Sequence, residues 1–307
     1  MGRAKRVKAG RWTPRQAPHR AGLRPHARDV AEPAAARAAR PWSDQAWLHA
    51  LDPLNAVLAR ALLGEHEAAT AILAGRRTAA TVRALVEQAF ADTRTTTEAL
   101  LRRTPPAGQP ACRAGCAFCC AIPVLVQPPE ALYLALHLRA RLHADTLAAL
   151  VARLCQRVEA RRGWTLEQRR TRQRRCVFLT ADGRCGMYDA RPLACRGYTS
   201  QSAEACQEDR DPIPVHDGVM SATSGVSYGL AEATAALGLE SARYELESAV
   251  LCAFEVPDAT ARWLRGERVF TGCEQLRSRE RRVEPVAAAD ASDHKPRHNF
   301  LAHRHLW

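Results

Sequence analysis

Long hydrophobic runs are missing from this 307-residue chain. No stretch approaches the ~18 uninterrupted apolar residues that a membrane-spanning helix needs, so no membrane partner is expected. The basic opening, MGRAKRVKAGRWTPRQAPHRAG, is not followed by the apolar core of a secretory signal, which points to a cytoplasmic protein. Several enzyme fingerprints are absent as well: there is no HExxH, no Gly-rich phosphate loop and no dinucleotide-binding motif. No internal repeat of fixed period stands out. What remains is an ordinary soluble composition, 47% hydrophobic and 25% charged, in a chain long enough for one large domain or two small ones.

Lysine is scarce too. Lys5, Lys8 and Lys295 are the only ones, and the formal net charge of +13 rests on arginine. That charge sits at the ends. Residues 1–40 carry a net +9 and residues 277–307 a net +3, which leaves +1 for residues 41–276. A nearly neutral body lacks the electrostatic footprint of a nucleic-acid-binding domain. Residues 1–40, rich in Arg, Ala and Pro, have too few large apolar side chains to offset the entropy of folding and are expected to be disordered. The same holds for the tail 277–307, whose His294, His298, His303 and His305 are able to pick up metal opportunistically.

The body, residues 41–276, reads as mainly α. Ser43 or Asp44 can cap a helix that places Trp47, Leu48 and Leu51 on one face. Asp52-Pro53 then opens a second, with Leu54, Val57, Leu58 and Leu62 expected inward. A third stretch, Thr78–Leu101, carries the stripe Val82, Leu85, Val86 and Phe90. Val124–Val126 suits a short strand, and Pro129-Glu130 starts another amphipathic helix, with Glu130 its capping residue rather than a ligand. Helix is expected to continue over Thr146–Arg162, and the basic run RRGWTLEQRRTRQRRC reads as a solvated face. Residues 176–225 have many turn formers and little helical period, so irregular structure is expected there. Helices return at Tyr228–Leu237 and Ser241–Phe254, with a short one after Pro257.

Cysteine is what the sequence has in excess, eleven in all. The segment CRAGCAFCC puts Cys112, Cys116, Cys119 and Cys120 into nine positions. A second, looser group holds Cys176, Cys185, Cys195 and Cys206. A core does not need sulfur at such density. In a reducing compartment clustered thiols hold metal more often than they form disulfides. Thiolates are soft ligands, and short loops between them let several reach one centre, which suits zinc, iron or an iron–sulfur cluster. Cys155 and Cys252 fall within apolar helical patterns and read as small buried hydrophobes, and Cys273 is isolated.

CRAGCAFCC followed by CVFLTADGRCGMYDARPLACRGY resembles the cysteine-cluster proteins of the YkgJ type, zinc- or iron-chelating proteins with a CxxCxxCC pattern. The second segment carries Cys176, Phe178, Leu179, Gly183, Cys185, Tyr188, Arg191, Pro192, Cys195 and Arg196 in that family's arrangement. The resemblance covers about residues 108–210. The three-residue gap between Cys112 and Cys116 departs from the pattern. Taken with the flanking helices, which the resemblance does not cover, the reading is an irregular Cys-rich module set among helices, with all eight clustered cysteines as metal ligands. Asp182-Gly183 marks a turn that would bring Cys176 and Cys185 together. Arg191 and Arg196 either offset thiolate charge or pair with carboxylates such as Asp189. Phe118, Phe178 and Tyr188 are expected to pack as a small core around the site.

The reading that follows is a metal-binding protein with a metal ion as its partner; no protein partner is indicated. Two alternatives stand beside it. One is an iron–sulfur-dependent enzyme, by similarity to flagellin lysine methylating proteins, although no methyl-donor site is recognisable. The other is a zinc protein drawn to nucleic acid by its basic tails. If the division at residues 40 and 277 is right, deleting both tails leaves helical circular dichroism and bound metal unchanged. A large loss of either in the doubly truncated protein contradicts it.

Overall fold

The computed structural model describes residues 51–273, apart from 166–167, 170–171, 173–174 and 209–212. The expected tails and the helix at Trp47 lie outside the described residues, except for Leu51. Within them the chain is mainly α, as the hydrophobic pattern predicts, with one two-stranded sheet.

The first described helix, α1 (Pro53–Ala74), starts where the sequence signals. The Asp52 carboxylate accepts hydrogen bonds from the Leu54 and Asn55 amides, both 3.1 Å, and Pro53 occupies the first turn. Those amides, Asn55 first, hold the Asp52 carboxyl below its usual range. α2 (Ala79–Arg102) buries the anticipated Val82, Leu85, Val86 and Phe90. α3 (Pro128–Arg141) is buried along its first eight residues and runs through the core, while α4 (Ala144–Ala160) covers one side with Leu150 and Leu154. Two short helices, α5 (Leu193–Gly197) and α6 (Ala203–Gln207), precede the long α7 (Asp217–Ala236). α8 (Leu246–Glu255) and α9 (Ala259–Leu264) follow, and Trp263 and Phe270 close the core completely buried. The expected strand is β1 (Leu125–Val126), antiparallel to β2 (Tyr244–Glu245), with Val126 opposite Tyr244. Among the described residues no helix is long and apolar enough to cross a membrane.

Three departures from the sequence reading have physical causes. First, α1 does not bury its leucine stripe. Its buried face is Ala56, Ala59, Glu65, Ala69 and Leu73. The partner, α7, presents Gly225 and Gly229 there; a methyl at Gly225 would lie 2.2 Å from the Leu58 carbonyl oxygen, and at Gly229 2.3 Å from that of Leu62. Backbone-to-backbone packing of this closeness selects small residues over large ones.

Second, α7 begins at Asp217, although residues up to 225 read as irregular. Its Ser and Thr hydroxyls bond back along the helix, Thr223 to Val219 O at 2.9 Å and Ser224 to Met220 O at 2.8 Å, so the polar groups that weaken helix propensity are satisfied within it. Third, the basic run is not wholly solvated. Arg161 and Arg169 are buried, facing Glu245 and Glu247. Arg161 bonds to Glu247, Arg169 lies 3.8 Å from Glu245, and Arg157 adds a 2.7 Å contact to Glu247. Burying four ionised groups is tolerable because they neutralise one another.

The glycine contact yields a paired expectation. Gly229→Ala forces α1 and α7 apart and destabilises by about 1–3 kcal/mol or more. Gly64→Ala, in the same α1 but with nothing within 4 Å of the new methyl, stabilises by about 0.5–1 kcal/mol. Urea midpoints at constant m-value check both signs. Equal effects would remove the packing argument.

Candidate metal centre

The cysteine-rich segments have almost no regular structure of their own, so other groups must satisfy and place their backbone. Cys112 lies on an extended stretch fixed by Ala111 N–H donating to Ser200 O at 2.8 Å, and its own thiol lies 3.8 Å from the same oxygen. A turn closed by Cys116 N–H to Arg113 O at 3.0 Å follows, with Gly115 in the left-handed region at φ +85°. Cys119 and Cys120 occupy a 3-10 turn, Phe118–Ala121. The Cys120 carbonyl accepts from Cys176 N–H at 2.7 Å, which joins the two sequence groups directly.

From Cys176 the chain makes the hairpin-like turn that Asp182-Gly183 predicts. Leu179 bridges Cys185, Thr180 N–H donates to Arg184 O at 2.8 Å, and Gly183 takes φ +78°. A side chain at Gly183 would meet the Gly115 carbonyl at 3.4 Å, so the tips of the two cysteine loops abut. Cys195 rides on α5. The first amide of that helix, Leu193 N–H, donates to Glu130 at 2.8 Å, while the other carboxylate oxygen of Glu130 caps α3 through Gln127 N–H at 2.9 Å. Glu130 is therefore a capping residue, as expected. Cys206 sits on α6, whose start is capped by the Ser202 hydroxyl.

All eight predicted cysteines fall in one neighbourhood. Cys112 interacts electrostatically with Cys116, Cys119 and Cys206. Cys119 hydrogen-bonds with Cys120, and it also acts on Cys185 and Cys195. Cys185 and Cys195 in turn both act on Cys176. The two groups therefore meet at Cys119 beside Cys185 and Cys195, at Cys112 beside Cys206, and at the Cys120–Cys176 backbone bond. Burial pushes Cys176 and Cys195 up to about 12 and raises Cys112 and Cys185 as well. The bond to Cys120, more than burial, raises Cys119. These groups are thiols unless a cation replaces their protons. Among the described residues no three Cys, His, Asp or Glu side chains stand ready as a ligand set around one point.

Two arginines belong to the site, and neither pairs with the Asp189 carboxylate, which faces Arg141 at 3.7 Å. Arg196 donates to the Arg191 carbonyl at 2.9 Å and lies 3.7 Å above the Phe90 ring; burial lowers it to about 10. It fastens the loop to α2. Arg191 stacks on Tyr188 at 4.3 Å, and its Nε–H is buried with no hydrogen-bond partner among the described residues. Its charge favours thiolate at Cys119, Cys185 and Cys195. Of the two readings offered by the sequence, charge compensation describes Arg191 and, at Cys185, also Arg196, which is a structural tie as well.

Other expectations need correction. Phe178 is buried, but Phe118 is 36% and Tyr188 58% exposed, so only one of the three aromatics packs as a core. Cys155 is exposed, because α4 buries the adjacent Leu154 instead. Cys252 is half-buried beside Cys273, away from the eight. His216, which the sequence did not single out, caps α7, its Nδ1 accepting from Val219 N–H at 3.2 Å and its Nε2 bonding to Thr104 Oγ1 at 2.9 Å. The sequence reading missed Glu247, whose carboxylate accepts from Val177 N–H at 3.2 Å and so anchors the residue after Cys176. Nothing in a lone Glu on a helix flags such a role.

The donor set fits a soft cation: eight free thiols, with the buried Arg191 Nε–H beside them unpartnered among the described residues. Comparison with known proteins agrees in kind. No curated protein and no solved structure matches the chain. Residues 111–212, which span all eight cysteines, match the CxxCxxCC family model, described as "Putative zinc- or iron-chelating domain".

Proposed function

We propose that the protein binds zinc or iron through Cys112, Cys116, Cys119, Cys120, Cys176, Cys185, Cys195 and Cys206, and that each chain holds more than one metal atom. The observation that carries this reading is the 2.7 Å hydrogen bond from Cys176 N–H to the Cys120 carbonyl, which, with the abutting turns at Gly115 and Gly183, brings the two cysteine groups together. Eight thiols are two sets of four, the usual complement of a closed zinc site or of an iron–sulfur cluster. Cys119 and Cys120 are adjacent in the chain and hydrogen-bond with each other, so both sulfurs face the same side of the turn. The count of eight thiols, rather than their spacing, assigns the pair to different metal atoms, in two centres or in one polynuclear cluster.

A metal here supplies charge that makes thiolate the stable form and ties loops that have few backbone bonds of their own. This chain's residues do the rest. Glu130 and Glu247 fix the flanks of the second loop, Arg191 offsets part of the thiolate charge, and the 3-10 turn of Phe118–Ala121 presents two adjacent sulfurs. The described helices on either side of the module act as the frame.

The ligand assignment divides the cysteines into two classes. Structural metal sites contribute roughly 10–16 kcal/mol of apparent free energy, as much as the whole stability of a typical domain. Serine at Cys116, Cys119, Cys185 or Cys195 should therefore lower metal content sharply and loosen the module. Alanine at Cys155, Cys252 or Cys273 should leave it unchanged. Metal-to-protein ratios of the variants decide, and equal losses in both classes would sink the assignment.

A further inference from the structure

Two of the three cysteines outside the module face each other. Cys252 lies on the last turns of α8, and Cys273 follows α9 where the chain returns across that helix. The return is firmly held. The Glu240 carboxylate accepts from Val269 N–H at 2.8 Å and Phe270 N–H at 3.1 Å, and the buried Phe270 ring lies 5.6 Å from that of Tyr244. A turn closed by Cys273 N–H to Phe270 O at 2.9 Å then delivers the thiol.

The sulfur contacts are reciprocal. Cys252 Sγ–H points to Val269 O at 3.3 Å, four residues before Cys273. Cys273 Sγ lies 3.6 Å from Ser248 O, four residues before Cys252 on α8. Each thiol thus reaches a carbonyl of the other's segment, and the two side chains also hydrogen-bond with each other. If these were only small hydrophobes filling space, nothing would require them to meet.

We propose that Cys252 and Cys273 form a reversible disulfide that staples the segment after α9 to α8, a thiol–disulfide switch separate from the metal-binding module. The oxidant is a low-molecular-weight disulfide, RSSR. The Cys252 thiolate attacks one sulfur of RSSR, the S–S bond breaks, and one RS⁻ leaves and takes up a proton. Cys273 then loses its proton and attacks Cys252 Sγ in the mixed disulfide, displacing the second RSH. Two protein thiols are oxidised to one disulfide, and RSSR is reduced to two RSH. The order follows from the pair itself: the hydrogen bond from Cys273 lowers Cys252 and raises Cys273, against burial and the Glu240 and Glu255 carboxylates, which oppose thiolate at both.

The crosslink closes a loop within the folded chain, so it narrows the unfolded ensemble and raises the unfolding temperature. The test uses the full-length protein as purified, equilibrated with glutathione disulfide, alkylated and digested with trypsin without reduction. Cleavage after Arg243, Arg262, Arg268 and Arg277 separates the two cysteines into peptides 244–262 and 269–277. These peptides should appear linked, separate on reduction, and accompany a rise in melting temperature that reductant abolishes. Cys252→Ser and Cys273→Ser should each lose the link and the rise while keeping metal content. Should Cys252→Ser fail to fold, Cys273→Ala at the chain-end side carries the same readout. Recovery of both peptides alkylated, or joined to cysteines of the module instead of to each other, would overturn the proposal.

Discussion

A loop rich in cysteine and turn formers has neither a ladder nor a helix to absorb its backbone amides, and in this protein buried carboxylates take that place. Glu130 ties α3 to the first turn of α5, and so to Cys195. Glu247 ties α8 to Val177, beside Cys176. Each carboxylate is costly to bury: burial raises Glu130, while the Gln127 and Leu193 amides, and then Arg243 and Arg196, hold it down. Glu247 is held by Arg157 and Arg161. An unpaired amide or charge at these points would cost more than the buried ion pairs do, so the placement of the second cysteine group depends on the set remaining complete.

The helical body supplies what the loops lack, which is rigidity. α1 and α7 approach until the carbonyls of Leu58 and Leu62 leave no room for side chains at Gly225 and Gly229. α7 also carries His216 at its start, bonded to Thr104 just before the first cysteine segment, and Ser227, which accepts from Gln127 at the head of α3. One helix therefore joins the close-packed pair to both flanks of the module. The scaffold can hold the loops in register even where the loops have little structure to offer.

Much of this was legible in the sequence, and the limits have physical reasons. Helix starts with a chemical signature were found: Asp52-Pro53, Thr78 and the Pro129-Glu130 pair all act as expected. So did the turn at Asp182-Gly183. The start of α7 was hidden because Ser, Thr and Gly read as turn formers, whereas here they are what a close helix contact requires. Arg161 and Arg169 looked like solvated charge because their partners, Glu245 and Glu247, lie some eighty residues away. Cys155 followed an apolar pattern whose buried position is the neighbouring Leu154. Contacts local in sequence could be read; those that depend on which distant segment arrives could not.

The central claim, that the eight clustered cysteines hold more than one metal atom, is tested most directly by stoichiometry. The full-length, untagged protein would be purified anaerobically with His294, His298, His303 and His305 replaced by Ala, to remove adventitious binding at the terminus. Zinc and iron would be measured per chain, together with the visible spectrum. The account predicts saturation above one metal atom per chain, either as colourless zinc at two sites or as several irons with a visible absorption band. Saturation at one metal atom per chain would contradict it.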